Sequence, residues 1–204
     1  MHIIDRHFLR LRILPLAALL LDWTSAAYAA SDAMSAYVKR DYVTALREFH
    51  RQANLGDSVA KYNLGIMYEQ GQGTAQDPAE AVKWYQMAAE DGVANAQLNL
   101  GLMYEQGRGT TRDYSQAAMW YKAAANQNVI HAQINLALLH GQGRGVPQDY
   151  VQTYMWSSVA ASKASNSPDR ARAAQIRDIV AREMTPDQLA EAKKLTRDWK
   201  PKRK

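Results

Sequence analysis

The chain has no cysteine, only two phenylalanines, five histidines and six prolines among its 204 residues. Without cysteine there are no disulfide staples, thiolate metal sites, cysteine nucleophiles or thiol redox chemistry, so the fold must stand on packing alone. Past residue 29 the histidines are His50, His131 and His140, none of them in a metal-ligand spacing such as H-E-x-x-H, and no G-x-S-x-G elbow occurs. Apolar runs are short: the one from Ile13 to Leu21 falls well below the roughly 20 residues that a bilayer span needs. These absences point away from an enzyme and lead us to expect no catalytic residues, no cofactor and no metal.

What the chain does have is repetition. Ala60, Leu64, Gly65, Tyr68, Gly71, Gly73, Asp77, Ala81, Trp84, Tyr85, Ala88 and Ala89 return after 36 residues as Ala96, Leu100, Gly101, Tyr104, Gly107, Gly109, Asp113, Ala117, Trp120, Tyr121, Ala124 and Ala125. Between these two copies 18 of 36 positions are identical, which requires a repeat array rather than a chance likeness of helices. A third copy keeps Ala132, Leu136, Gly143, Gly145, Asp149, Trp156, Ala160 and Ala161, but has Ala137, His140, Thr153 and Ser157 where Gly, Tyr, Ala and Tyr stood.

Each recurring type has a mechanical reason. Ala60, Leu64 and Tyr68 share one stripe of a first helix, helix A. Gly65 and Gly101 sit beside that stripe at a cost of about 1 kcal/mol in helix propensity, which makes sense where another helix crosses at close range. Gly71 follows the last periodic residue, where a left-handed cap ends a helix. Asp77 before Pro78 is an N-cap with a first-turn proline, so helix B is predicted to start at residue 78. Ala81, Trp84, Tyr85, Ala88 and Ala89 give helix B an apolar face in which aromatics alternate with alanine, and Trp84, Trp120 and Trp156 are all expected inside.

The pattern A-x-x-x-L-G-x-x-Y-x-x-G-x-G, a short loop, then D-x-x-x-A-x-x-W-Y-x-x-A-A resembles the Sel1-like repeat, a relative of the tetratricopeptide repeat. The resemblance covers residues 60 to 163, as repeats 60–95, 96–131 and 132–163. It implies an all-α solenoid of helix-turn-helix units that assembles other proteins and carries no active site. Members that staple each repeat with a disulfide exist, and this cysteine-free chain departs from that branch.

The ends read differently. Arg6, Arg10 and Arg12, the run Ile13 to Leu21 and the Ala27-Tyr28-Ala29 triplet form the pattern of a cleavable signal peptide over residues 1–29, with an uncleaved N-terminal anchor as the alternative. A periplasmic or secreted location follows from it. Residues 30–59 read as an N-terminal cap and half repeat, since Asp41, Ala45, Phe49, Ala53 and Gly56 precede Asp77, Ala81, Tyr85, Ala89 and Gly92 by the same period. Residues 164–199 read as a C-terminal helical cap: Ser167-Pro168 opens a helix bearing Ala171, Ala174, Ile176, Ile179 and Val180, and Thr185 to Gln188 is a capping box before a helix bearing Leu189, Ala192, Leu195 and Trp199. Residues 200–204 form a basic tail. Residues 30–162 hold 10 Lys+Arg and 12 Asp+Glu, a net −2, whereas residues 163–204 hold 12 and 6, a net +6. The acidic body argues against nucleic acid, and the tail limits any membrane contact to a peripheral one.

Within the repeats, Glu69 and Glu105 are expected as helix A surface charges, and the G-x-G loops as turns without a phosphate cradle's lysine. The candidate partner-binding residues are those that packing alone does not demand. Asn63, Asn99 and Asn135 each precede the buried leucine, Gln97 and Gln133 stand two residues before the asparagine, and Met67 and Met103 are positioned to supply an apolar floor. Helix A lines the concave face in tetratricopeptide-like solenoids, where such a carboxamide ladder can meet a peptide backbone; the same amides can instead brace the array. Two functions stand at this point: a non-enzymatic periplasmic adaptor that binds a segment of an envelope protein, or a module binding a small ligand or glycan such as a peptidoglycan fragment.

Overall fold

The computed structural model describes residues 32–163 and 168–202. The expected signal peptide lies outside the described residues. A short helix over 32–38 is followed by α1 (Tyr42–Asn54), α2 (Ser58–Gln70), α3 (Pro78–Glu90), α4 (Ala94–Gln106), α5 (Tyr114–Asn126), α6 (Ile130–Gln142), α7 (Tyr150–Lys163), α8 (Pro168–Ala181) and α9 (Pro186–Asp198), with no strand among the described residues. Helices α2, α4 and α6 are the A helices of the three repeats, and α3, α5 and α7 are the B helices.

The helix ends follow from local chemistry. Gly71 closes α2 in the left-handed conformation (φ 68°, ψ 36°), which a residue with a Cβ adopts only at a cost. The Asp77 carboxylate accepts from the Glu80 N–H at 2.9 Å, and Asp113 accepts from Ser115 and Gln116, so these aspartates cap donors in the first turns of α3 and α5. The second loop glycine has a different task. A Cβ on Gly109 would stand 2.1 Å from the Pro78 carbonyl oxygen, so the loop of one repeat lies directly on the first turn of the previous helix B.

Each A helix packs against its own B helix, and each B helix against the following A helix, so the layers form one continuous array. The apolar clusters straddle the repeat boundaries. Ala81, Tyr85, Ala88 and Ala89 of α3 pack with Ala96, Leu100 and Met103 of α4, and Ala45, Phe49 and Ala53 of α1 pack in the same way with Ala60, Leu64 and Met67 of α2. A lone repeat would leave half of each cluster in water. Within a repeat the contact is tighter still: a Cβ on Gly65 would stand 2.4 Å from the Tyr85 ring, and one on Gly101 would stand 2.6 Å from the Tyr121 ring. These glycines are the crossing points of helices A and B.

At the C-terminal end α8 packs on α7 and α6, while α9 packs on α7. Thr185 and Gln188 form the reciprocal capping box that opens α9. Trp199 at its end meets Trp156 edge-on at 5.9 Å, and the Lys202 N–H donates to the Asn126 carbonyl at 2.8 Å, so the first part of the basic tail is held against the end of α5. Helix α8 differs from its expected face: Ala173 and Val180 are buried, whereas Ala171 is exposed and Ile179 is 56% exposed. Packing against two neighbours at once turns the helix so that Ala173 joins the expected Val180 inside, while Ala171 and Ile179 turn outward.

Two further expectations change for physical reasons. Trp156 is buried at 3% exposure, but Trp84 and Trp120 are half-buried, because each lies over the apolar cluster of the preceding repeat at its margin. Glu69 and Glu105 are not free surface charges. Tyr85 Oη donates to Glu69 Oε2 at 2.6 Å, Tyr121 Oη donates to Glu105 Oε2, and Arg108 of the next repeat pairs with Glu69. Burial and the adjacent carboxylate both push the Tyr85 and Tyr121 hydroxyls far above the ordinary tyrosine range, which keeps them as donors.

Candidate functional site

The amide ladder divides into two sets by burial. Gln97 and Gln133 are buried, and their Nε2 atoms donate to the Ala89 and Ala125 carbonyls at 3.1 and 3.2 Å near the ends of the preceding B helices. Those carbonyls belong to the last turn, where intrahelical partners run out, so these two glutamines brace the array. Gln127 Nε2 adds a bond to Gln97 Oε1 at 2.8 Å. Met67 and Met103 are fully buried, so they belong to the core and not to a floor that a ligand can reach.

Asn63, Asn99 and Asn135 are half-buried on the outward side of α2, α4 and α6. The Asn99 amide acts on the hydroxyls of Tyr62 and Tyr85, and the Asn135 amide on that of Tyr121, opposing the rise that burial gives them, so these two amides lie beside the tyrosines of the array. A carboxamide has two N–H donors and an acceptor oxygen with two lone pairs, and the tyrosine neighbours do not exhaust it. Asn63 Nδ2 is buried without a hydrogen-bond partner among the described residues.

The apolar surface beside these asparagines comes from residues one position earlier than expected. Ile66, Leu102 and Leu138 are half-buried at equivalent places in the three repeats, with Tyr62 and Leu98 one turn before the first two. Val59, on the same side of α2, is 55% exposed. The signal was present in the sequence as an aliphatic residue at every thirty-sixth position, three residues after each asparagine. Over the third repeat the strip is narrowed: Ile134 is 1% exposed because Ala173 and Ile176 of α8 pack with it, while Asn135 and Leu138 stay half-buried.

Geometry of this kind recurs in known proteins. The Sel1 repeat matches residues 58–93, 94–129 and 130–165. The chain belongs to the Sel1 repeat family. Among solved structures it is similar to c5321, a protective antigen of uropathogenic Escherichia coli strains displaying an SLR fold, at 33% identity and a TM-score of 0.65 over 75% of this chain. It spans 32% of that chain's length. It is also similar to a Sel1 repeat protein from Oxalobacter formigenes, at 27% identity and a TM-score of 0.63, covering 81% of this chain and 73% of the other. No curated protein matches. Sel1 repeat proteins generally mediate protein–protein interaction, and their solenoids are typically non-catalytic scaffolds.

The third Sel1 repeat also departs electrostatically, with His140 in the place of Tyr104. Burial holds the His140 imidazole below its ordinary value, opposed by Asp149 and a backbone contact from Pro147. His50, which faces Tyr68 Oη at 3.0 Å, is likewise lowered by burial, opposed by Glu80. A histidine whose folded pKa is lowered binds its proton more readily in the unfolded chain. The stability it permits is therefore complete above the ordinary value of 6.5 and is lost as pH falls through it. The melting temperature should drop between about pH 7.5 and about pH 5.5, and the drop should shrink in His140→Tyr, which restores the residue of the first two repeats. An unchanged drop in that variant would assign the effect to other groups.

Proposed function

We propose that this protein is a non-enzymatic adaptor of the cell envelope that holds an extended segment of another protein along the outward face of its A helices. The observation that supports the reading is the recurrence of one amide and one aliphatic side chain, Asn63 with Ile66, Asn99 with Leu102 and Asn135 with Leu138, at the period of the array. The rungs recur at one period, and an extended chain advances about 3.3 Å per residue, so the ladder meets a peptide at regular intervals. The amides satisfy the backbone while the aliphatic residues take side chains in turn. The signal-peptide pattern of residues 1–29 supports a periplasmic or secreted site of action.

The experiment is photo-crosslinking in intact cells from position 95, an exposed asparagine on this face of α4, against position 83, an exposed lysine on α3. A client captured from 95 and not from 83 supports the reading; equal capture from both sinks it. Asn99→Ala should then weaken binding of the captured segment roughly 5- to 150-fold, the equivalent of about 1 to 3 kcal/mol for a hydrogen bond left unmade. Tyr85→Phe is the control, since it removes the hydroxyl beside Asn99, which donates to Glu69, and leaves the Asn99 amide in place. If both variants lower the melting temperature alike and neither alters affinity in the folded fraction, Asn99 is a brace and the groove lies elsewhere.

A further inference from the structure

The third repeat has lost two residues together. Where repeats one and two have Glu69 with Tyr85 and Glu105 with Tyr121, the third has Gly141 with Ser157. In the first two repeats that pair fills and closes a cell beside Gly65 or Gly101, with the ring against the glycine and the hydroxyl on the carboxylate. In the third repeat Ser157 is fully buried, but the side of the cell that the ring and carboxylate would close is open: a cavity of about 250 Å³ is lined by Ala137, Gly141 and Thr153, the equivalents of Gly65, Glu69 and Ala81. Helix α8 supplies the opposite wall with Ile176, Ile179 and Val180, and Leu138 joins the cavity to the aliphatic strip described above. The exposed Glu183 stands at its rim as the one charged side chain lining it among the described residues.

We infer that this cavity receives an aromatic side chain from a bound polypeptide, taking in trans the ring that the other repeats supply from their own helix B. The size fits one ring. A cavity of about 150 Å³ accepts benzene, whereas drug-sized ligands need pockets of about 300 Å³ or more. The walls are mainly apolar, with Gln142, Tyr150 and Thr153 also lining them, and Gly141 supplies no carboxylate like the Glu69 and Glu105 that hold the tyrosine hydroxyls of the first two repeats, so phenylalanine is preferred to tyrosine. Glu183 favours a positive charge beside the ring, such as a neighbouring lysine or arginine. The inference rests on the peptide-binding reading above and names the C-terminal anchor of the same face: the segment lies along Ile66 and Leu102 and ends with its ring past Leu138.

The test is methyl NMR of the full chain titrated with phenylalaninamide, which carries a phenyl ring and one ammonium. The methyl groups of Leu138, Ile176 and Ile179 should shift and saturate with a Kd of about 1 mM, the range expected for a ligand of a dozen heavy atoms, while glycinamide gives no shift. Gly141→Leu should abolish the saturating shift, because a Cβ there has room at 3.4 Å from Thr153 and the rest of the side chain fills the cavity. Ile179→Gln removes an exposed wall residue and should weaken binding without unfolding the protein. Glu183→Gln should weaken phenylalaninamide roughly 1.5- to 5-fold, the range for an exposed ion pair, and leave benzyl alcohol unchanged. Equal affinity in wild type, Gly141→Leu and Ile179→Gln overturns the inference. Client capture from position 95 that is indifferent to Gly141→Leu overturns it as well and leaves the groove standing. Saturable phenylalaninamide binding without any position-dependent capture overturns the groove and leaves the cavity as an aromatic-side-chain site.

Discussion

Trp156→Ala should destabilise the protein by about 3 to 5 kcal/mol, the range for a buried tryptophan cut to a methyl group. Trp156 is 3% exposed, within a cluster that draws Ala117, Tyr121 and Ala124 from α5, Leu136 and Leu139 from α6 and Val159 from its own helix. Its ring also meets Trp199 edge-on, and Leu195 and Trp199 pack on the same cluster, so the substitution loosens α9 along with the third repeat. At about 2 to 4 °C per kcal/mol for a chain of this size, the melting temperature should fall by about 6 to 20 °C. Amide exchange in α9 should rise in parallel. Trp120→Ala is the internal comparison: that ring is half-buried, so its removal should cost less. A Trp156→Ala protein that melts normally with α9 still protected would mean that the C-terminal cap is held by α8 and not by the tryptophan pair.

Gly101→Leu is expected to be the second most damaging substitution. A single added carbon would sit 2.6 Å from two atoms of the Tyr121 ring, and that ring is 0% exposed and tethered through its hydroxyl to Glu105, so it has nowhere to swing. The leucine improves the intrinsic helix propensity of α4 by roughly 1 kcal/mol, yet overpacking of about 1 to 3 kcal/mol or more should prevail. The equivalent test in the third repeat gives the opposite sign of strain: Ala137 already occupies that position, opposite Ser157, and the helices tolerate it. Pairing Gly101→Ala with Tyr121→Ser should therefore recover part of the loss of Gly101→Ala alone, measured as a coupling in a double-mutant cycle. Additive losses would show that the glycine and the ring do not compete for the same space.

Most of the fold was legible because its signals are local. Asp77 before Pro78, Gly71 after Gln70 and the Thr185 to Gln188 box each act through the nearest turn of backbone, and the structure uses them as the sequence suggests. The site was less legible, since it depends on which way a helix is turned. Ile66 and Met67 differ by 100° around α2, and only the neighbouring helices decide that Met67 is core and Ile66 faces outward. The same holds for Ala171 and Ala173 in α8. Glu69 read as a surface charge because its partner, Tyr85, lies 16 residues away on another helix. The paired loss at Gly141 and Ser157 was visible in the sequence, but its meaning required knowing that those positions touch.

The placement of the apolar clusters across repeat boundaries limits how such a chain can change length. The clusters at the first two junctions are built from the end of one unit and the beginning of the next, so a cut between units divides a cluster, whereas a cut at equivalent points one period apart removes or adds a whole one. Duplicating 36 residues between the first and second units would recreate faces that already fit each other: Tyr85 beside Leu100 in one junction and Tyr121 beside Leu136 in the next. The third unit cannot be copied so freely, because α8 forms one wall of its open cell and would have to be copied with it. Growth and loss in this chain should therefore be confined to its first two units, with the two ends carried along unchanged.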